Sequence, residues 1–311
     1  MKNYKHIFDT LQKEIGRVVI GQEAIIEQVL IAMVADGNAL LEGYPGLAKT
    51  LSIKTLADLM DLKFSRIQNT PDLMPSDITG TYIIEESGGK RNFKFQKGPV
   101  FANIVLADEI NRATPKTQSA LLEAMQERQV TVGNTTYKLE EPFFVLATQN
   151  PIEQEGTYPL PEAQADRFLL KIKVVYPSFE EEQKIVDLYT SGAQIPKMRV
   201  LLNRQHLSHL QSVSRQVPIA KDIKIRALKL IEATRAKKDF FHYGASPRAS
   251  IGLILASKAR ALIKGRNYVS NEDIETLAFP ILRHRVVMNF EAERKGLLVD
   301  DAIKELLKKV K

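Results

Sequence analysis

Two short stretches of this chain combine residue types and spacings suited to chemistry on a phosphate chain. Gly43-Tyr44-Pro45-Gly46-Leu47-Ala48-Lys49-Thr50 leaves an apolar run, Ala39-Leu40-Leu41, and enters a helix-forming stretch. At such a junction backbone N–H groups converge on phosphate oxygens at a helix N-terminus. Lys49 adds a point charge toward the β and γ phosphates, and Thr50 offers a hydroxyl to Mg2+. Farther along, Ile104-Val105-Leu106-Ala107-Asp108-Glu109 ends a second apolar run in two carboxylates. Asp108 suits the same Mg2+, and Glu109 is left to polarise a water. The pair describes a nucleoside triphosphate site whose nucleotide-binding residues are Gly43, Pro45, Gly46, Leu47, Ala48, Lys49, Thr50 and Leu51. Ala48 stands where a glycine normally precedes the lysine. Its methyl group crowds the loop unless that position keeps a negative φ.

These residues need strands to carry them. Apolar runs recur at 39–41, 64–67, 104–107, 143–147 and 169–174, alternating with helical patterns such as 50–60 and 116–128. Strands that are apolar throughout and alternate with helices specify a parallel sheet covered on both faces. Two insertions interrupt the alternation. Tyr82-Ile83-Ile84 and Asn92-Phe93-Lys94-Phe95 flank Ser87-Gly88-Gly89, and Val130-Thr131-Val132 meets Thr135-Thr136-Tyr137 across Gly133-Asn134, with glycine first as a type II′ turn prefers. Both read as projecting hairpins, either ordinary sheet edge or loops that reach a pore or a substrate. After Val175 the pattern becomes helical, with Ser178 as an N-cap and helices expected near 205–214, 221–237, 247–264, 271–282 and 300–310. Residues 191–203 read as a connection. A nucleotide-binding core over 1–190 and a smaller all-α domain over 191–311 follow.

The 311 residues, 44% hydrophobic and 26% charged, suit two domains in sequence. There is no cysteine, so disulfides and thiolate metal sites are excluded, in keeping with a reducing compartment. The N-terminus is amphipathic rather than signal-like, and the longest apolar run, Val29 to Ala35, is too short to cross a bilayer, so a soluble cytoplasmic protein is expected. Residues 1–190 hold 20 Lys and Arg against 26 Asp and Glu, whereas 191–311 hold 24 against 11. The halves therefore carry −6 and +13. The basic half is either a solvated surface or a face toward something acidic, whether nucleic acid, an acidic protein or the acidic half of a neighbouring subunit. Its basic residues lie on helical segments such as 221–238 without interleaved aromatics, so nucleic acid is not the expected partner. His206 and His209 stand three apart, but the remaining histidines are scattered and no metal site is expected there.

Three further segments sharpen the reading. Ala147-Thr148-Gln149-Asn150-Pro151 closes a strand beside that of Asp108, Pro161 to Phe168 presents Arg167 just before the last strand, and Gly244-Ala245-Ser246-Pro247-Arg248-Ala249 presents Arg248 at a helix start. There an arginine opposes the macrodipole, which suggests that it is held for an anion. In order, these segments resemble the AAA+ ATPases, with Asn150 as sensor 1, Arg167 as arginine finger and Arg248 as sensor 2, which puts Arg248 in the nucleotide-binding set. The run 106–113, the run 147–156 (Ala147 through Pro151-Ile152-Glu153-Gln154-Glu155-Gly156) and Leu160-Pro161-Glu162-Ala163-Gln164 look like the MoxR family. The resemblance covers nearly the whole chain. It implies an α/β AAA+ P-loop domain with a parallel sheet flanked by helices and hairpin insertions, followed by an all-α lid. It also implies a ring, usually hexameric, that binds ATP and Mg2+ and acts as a chaperone-like remodeller of protein clients, often with a von Willebrand factor A domain partner. Ile20-Gly21-Gln22-Glu23 resembles the family's segment packed against adenine, the hairpins match the helix-2 and pre-sensor-1 inserts of the wider clade, and alanine at the position of Ala48 occurs in some members.

Other functions fit less well. A nucleotide-gated switch with slow hydrolysis shares every motif, and a nucleic-acid-associated motor would use the basic half. A small-molecule phosphotransferase lacks any sign of a second substrate pocket, and a GTPase is disfavoured because no Asn-Lys-x-Asp motif occurs. Arg112 suits either a neighbouring nucleotide or a structural pairing.

Overall fold

The computed structural model describes residues 2–44, 46–87, 90–151, 156–192, 198–236 and 239–310. Pro45, Gly88, Gly89, residues 152–155 of the resemblance motif, Pro196 and the end of the 221–238 basic stretch lie outside the described residues.

Helices α1 (Lys2–Gly16) and α2 (Glu23–Val34) precede strand β1 (Ala39–Glu42) and helix α3 (Lys49–Leu59). Then come β2 (Phe64–Gln68), α4 (Pro75–Thr79), the hairpin β3 (Gly80–Ser87) and β4 (Lys90–Lys97), β5 (Ile104–Asp108) and α5 (Pro115–Glu127). The second hairpin, β6 (Gln129–Val132) and β7 (Thr135–Lys138), is followed by β8 (Phe144–Gln149), α6 (Glu162–Ala165) and β9 (Leu170–Lys173). The five core strands run parallel in the order β2-β5-β8-β1-β9. Every expected core strand is present, and the sheet is covered on both faces because successive side chains point to opposite sides. Leu40, Val105, Ala107, Val145 and Ala147 join Leu121, Leu122 and Met125 of α5 in one buried cluster. Their neighbours Leu41, Ile104, Leu106 and Leu146 join α1, α2 and α3 in the other. Burying each such leucine or isoleucine stabilises the fold by about 1.5–3 kcal/mol before entropy is counted.

The order has a consequence for chemistry. The loop after β1 and the carboxylates after β5 emerge from the same carboxyl edge, and β8 lies between them. Ligands of open α/β sheets bind in the crevice at that edge.

The remaining helices are α7 (Phe179–Thr190), α8 (Arg204–Gln216), α9 (Lys221–Ala236), α10 (Pro247–Ile263), α11 (Asn271–Leu282), α12 (Phe290–Arg294) and α13 (Val299–Lys309). Ser178 caps α7 as expected: its hydroxyl accepts the Glu181 N–H while the Glu181 carboxylate accepts the Ser178 N–H. The C-terminal helices do not stand apart from the core. Leu207, Leu253 and Leu277 share the apolar cluster of α1 and α2, and Ser214 Oγ and Gln211 Nε2 donate to the carbonyls of Val34 and Met33 at the buried end of α2.

Helix and loop were expected throughout this half, yet β10 (Phe241–Tyr243) and β11 (Val287–Met288) form a small antiparallel pair, and the short α12 was not foreseen. Segments of two to five residues are too short for hydrophobic periodicity to declare them. Asn203, read as part of a connection, is the N-cap of α8 and accepts the His206 N–H. His206 is occupied in that cap, and His209 meets the Tyr4 hydroxyl at 3.1 Å, so the two histidines serve structure. Among the described residues no helix is long and apolar enough to cross a membrane.

Both hairpins leave the sheet, and they are joined at their bases. Phe95 stacks on Tyr137 with 4.2 Å between ring centroids, and the hydroxyls of Tyr82 and Tyr137 lie 2.8 Å apart. Gly133 takes φ +60 at the first turn position, a conformation glycine adopts without strain. Farther out, Ile84 and Phe93 face each other across the β3–β4 ladder and are 62% and 77% exposed.

Candidate functional site

The loop between β1 and α3 is anchored before it turns. The Gly43 N–H donates to the carbonyl of Gln149 on β8, and a Cβ at Gly43 would come within 2.6 Å of the Val174 Cβ, so only glycine passes there. Gly46 adopts φ +83, again a glycine conformation. Ala48, however, adopts φ +53 and ψ +21 as the N-cap of α3. The condition set by the sequence, a negative φ, is not met. The alanine takes the left-handed conformation the missing glycine would have taken, and its carbonyl accepts the first bond of α3, from Ser52 at 2.9 Å. Such a conformation costs an L-residue about 1–2 kcal/mol. Ala48→Gly relieves that strain and loosens the unfolded chain by about 0.5–1 kcal/mol. A net gain of up to about 1 kcal/mol in urea-unfolding stability is the expected result, and a loss would show that the alanine is unstrained.

Lys49 folds back over the loop, its Nζ donating to the Gly43 carbonyl at 2.7 Å. Burial lowers its pKa, and the charges of Asp108 and Glu109 oppose that shift. Those carboxylates stand across a cleft of about 430 Å3 whose walls are Gly46, Leu47, Ala48, Lys49, Thr50, Leu51, Arg66, Asp108, Glu109 and Asn150. The residues chosen from the sequence for the phosphates, the metal and the attacking water, Lys49, Thr50, Asp108, Glu109 and Asn150, therefore meet in one place. A cradle of loop backbone at a helix N-terminus fits a phosphate chain. One hydroxyl and one carboxylate fit Mg2+, which takes few protein ligands and completes its shell with phosphate and water.

Asp108 is held from all sides. Thr148 Oγ1 donates to its Oδ1 at 2.6 Å, Arg66 donates from Nη2 and Nε to its Oδ2 at 2.6 and 3.1 Å, and its main-chain carbonyl accepts both the N–H and the Nδ2 of Asn69. Glu109 sits at φ +53 and ψ +54, the strained left-handed region that clusters at functional sites. Its N–H donates to Thr148 Oγ1 at 2.8 Å, so one buried hydroxyl sets the position of both acids. Its Oε2 accepts from Arg112 Nη1 at 3.0 Å, which is the structural pairing rather than a free arginine. Buried Gln118 holds the Arg112 turn by donating to the carbonyls of Ile110 and Ala113.

Arg66, Thr148 and Asn69 were not singled out in the sequence. Arg66 sits beside Ser65 in the strand 64–68, where a polar residue carries no signature until its neighbour across the sheet is known. Thr148 lay within a quoted motif, but a hydroxyl in a strand carries no signature of its own.

Arg167 and Arg248 lie elsewhere. Neither lines the phosphate cleft; both line a separate hollow of about 270 Å3 with Asp36, Arg128, Asp166 and Arg285. Arg248 Nη1 donates to Asp166 Oδ2 at 3.3 Å, so the anion that holds this arginine at a helix start is a carboxylate of the same chain. Asp166 also accepts from Arg285 Nε and from the Ser246 hydroxyl that caps α10. Arg248 therefore does not reach this chain's own cleft: α10 packs on the α2 side of the core and carries it to the hollow beside Arg167. Arg167 is exposed and makes no ion pair among the described residues, although Asp166 precedes it. Ile20 and Gly21 do not line the cleft either; a Cβ on Gly21 would lie 3.0 Å from the Glu181 carboxylate at the start of α7. On the loop, Tyr44 stacks against Tyr176 at 5.3 Å.

A parallel five-stranded sheet in this order, a lysine-bearing loop, adjacent carboxylates and a following helical unit define an AAA+ P-loop ATPase with its lid. The family model described as ATPase family associated with various cellular activities (AAA) matches residues 38–170, and that described as AAA lid domain matches 232–306. Chaperone MoxR1 of Mycobacterium tuberculosis is 43% identical over 98% of this chain and 82% of its own length. Protein MoxR of Methylorubrum extorquens is 28% identical over 96% of this chain and 93% of its own. A solved structure from Cytophaga hutchinsonii, provisionally described as an ATPase, superposes with a TM-score of 0.92 at 45% identity, covering 99% of this chain and 96% of that one. The chain belongs to the MoxR family of chaperone-like AAA+ ATPases.

Proposed function

We propose that the protein hydrolyses Mg2+-bound ATP at sites shared between neighbouring copies in a ring, hexameric as in the family, and uses the cycle to remodel a protein client. The observation that carries this reading is the separation of the two arginines from the cleft. Lys49, Thr50, Asp108, Glu109 and Asn150 line one wall set, while Arg167 and Arg248 line another hollow of the same chain. Phosphoryl transfer needs added positive charge as negative charge spreads over the transferred group. A second copy presenting its Arg167 and Arg248 to the cleft would supply it.

Within one subunit the roles follow from position. Loop backbone and the Lys49 ammonium bind the phosphates, and Thr50 and Asp108 would hold Mg2+, which when bound offsets phosphate charge. Glu109, placed by Thr148, takes a proton from water as its oxygen attacks the γ phosphorus, and ADP leaves with the broken bond's electron pair. Asn150, at the end of the strand between loop and carboxylates, orients that water. The core over 1–190 supplies this chemistry, and the lid over 191–311 supplies Arg248 to the neighbour.

The exposed pair Ile84 and Phe93 suits an apolar segment of the client, with or without a partner bearing a von Willebrand factor A domain. Because the stacked bases join both hairpins, they would move as one body. Affinity capture with a Glu109→Gln chain in ATP tests this: a client is retained, and Phe93→Ser on the same background releases it while nucleotide stays bound. Retention unaffected by Phe93→Ser would remove the hairpin from client contact.

A further inference from the structure

We propose that Arg66 is an internal counter-ion of Asp108, which a metal-bound nucleotide must displace, so that Arg66 sets how much Mg2+ the protein needs before it holds ATP tightly.

Asp108 and Arg66 face each other by register. Gln68 on β2 pairs with Asp108 on β5, and Arg66 pairs with Leu106, so Arg66 stands two residues back on the same sheet face and its side chain runs forward to the carboxylate. Both carboxylate oxygens are then taken. Thr148 occupies Oδ1 with a neutral hydroxyl, and Arg66 occupies Oδ2 with two N–H groups. The two donors differ in freedom. Thr148 is fully buried, whereas the Arg66 side chain is 43% exposed against 15% for Asp108. The carboxylate is fixed and its cation can swing outward.

A dication has few alternatives to this carboxylate. Among the described residues no cluster of three or more His, Cys, Asp or Glu side chains is placed to hold a metal, and the other acid of the cleft, Glu109, is bonded to Arg112. A guanidinium and Mg2+ cannot share Oδ2 without strong like-charge repulsion in a partly desolvated cleft. Binding of the metal-bearing nucleotide is thereby coupled to release of Arg66, whose place on the cleft wall leaves its guanidinium free to turn to the phosphate oxygens or to water.

This inference rests on the cleft being a nucleotide site, and the two can fail separately. Binding of a fluorescent ATP analogue is followed by anisotropy while Mg2+ is titrated from an EDTA-buffered zero, for the parent chain and for Arg66→Ala, Arg66→Gln and Arg66→Lys. Removing the competing cation lowers the Mg2+ concentration at half-maximal binding by about three- to thirty-fold in the Ala and Gln variants, the span expected of a half-exposed charge-assisted pair. Arg66→Lys, which keeps a charge without the two-pronged fit, falls between them and the parent. A midpoint that stays put or rises in Arg66→Gln, or affinities that weaken equally with and without metal, would make Arg66 a phosphate ligand or a structural residue and overturn the inference. If the parent binds no analogue at any Mg2+ concentration, the reading of the cleft itself is what has failed.

Discussion

Replacing Glu109 by glutamine leaves nucleotide bound and lowers the steady-state rate of phosphate release by about two to four orders of magnitude, the usual worth of a positioned general base. The substitution is nearly isosteric. The Thr148 hydroxyl still accepts the residue-109 N–H and still donates to Asp108, so the strained turn at φ +53 and the Asp108 carboxylate stay where they are. What is lost is the charge proposed to take the proton from water, together with the ion pair to Arg112. Single-turnover phosphate release and equilibrium binding of a labelled nucleotide, measured on the same preparation, separate the two. A variant that turns over normally would take Glu109 out of the chemistry; one that loses binding would show that the carboxylate has a structural role first.

The second large effect concerns Arg167. Arg167→Ala lowers turnover by about three to five orders of magnitude if its guanidinium serves a neighbour's transition state as an arginine finger does. Folding is spared, because the side chain is exposed and takes no ion pair among the described residues. The decisive comparison is a mixture. An Arg167→Ala subunit keeps an intact cleft, and a Glu109→Gln subunit keeps an intact arginine, so rings assembled from both contain some complete sites. Partial recovery of activity on mixing two inactive preparations is the expected outcome. If the mixture is as inactive as its components while mixed oligomers are shown to form, the sites are not shared and the separation of arginines from cleft needs another explanation.

Much of this was written in the chain. Strands β1, β5 and β8 were legible because each is apolar on both faces, β2 and β9 through their alternation with helices, and the phosphate loop and its carboxylates because their order places them at strand ends. What the sequence did not show depends on three-dimensional paths. Arg248 looked like a companion of Lys49, but the packing of α10 against α2 carries it to Asp166 and away from the cleft. Hairpin positions were foreseen, yet their union through Phe95 and Tyr137 joins residues far apart in the chain, which no local pattern encodes. Ala48 was recognised as unusual, but its left-handed φ opposes an L-residue's own preference and could not be read from the residue type. Arg66 and Thr148 escaped for a simpler reason: a single polar residue on a strand means little until its neighbour across the sheet is known.

The account's central claim is that the loop starting at Gly43 holds the phosphates of a nucleotide with Lys49 against them. Isothermal titration calorimetry of Mg2+-ATP into the hydrolysis-deficient Glu109→Gln protein tests it most directly. Saturable heat that vanishes when Lys49→Ala is added to a chain still folded by circular dichroism is the predicted result. No heat from the folded Glu109→Gln protein, or undiminished heat after Lys49→Ala, would contradict it.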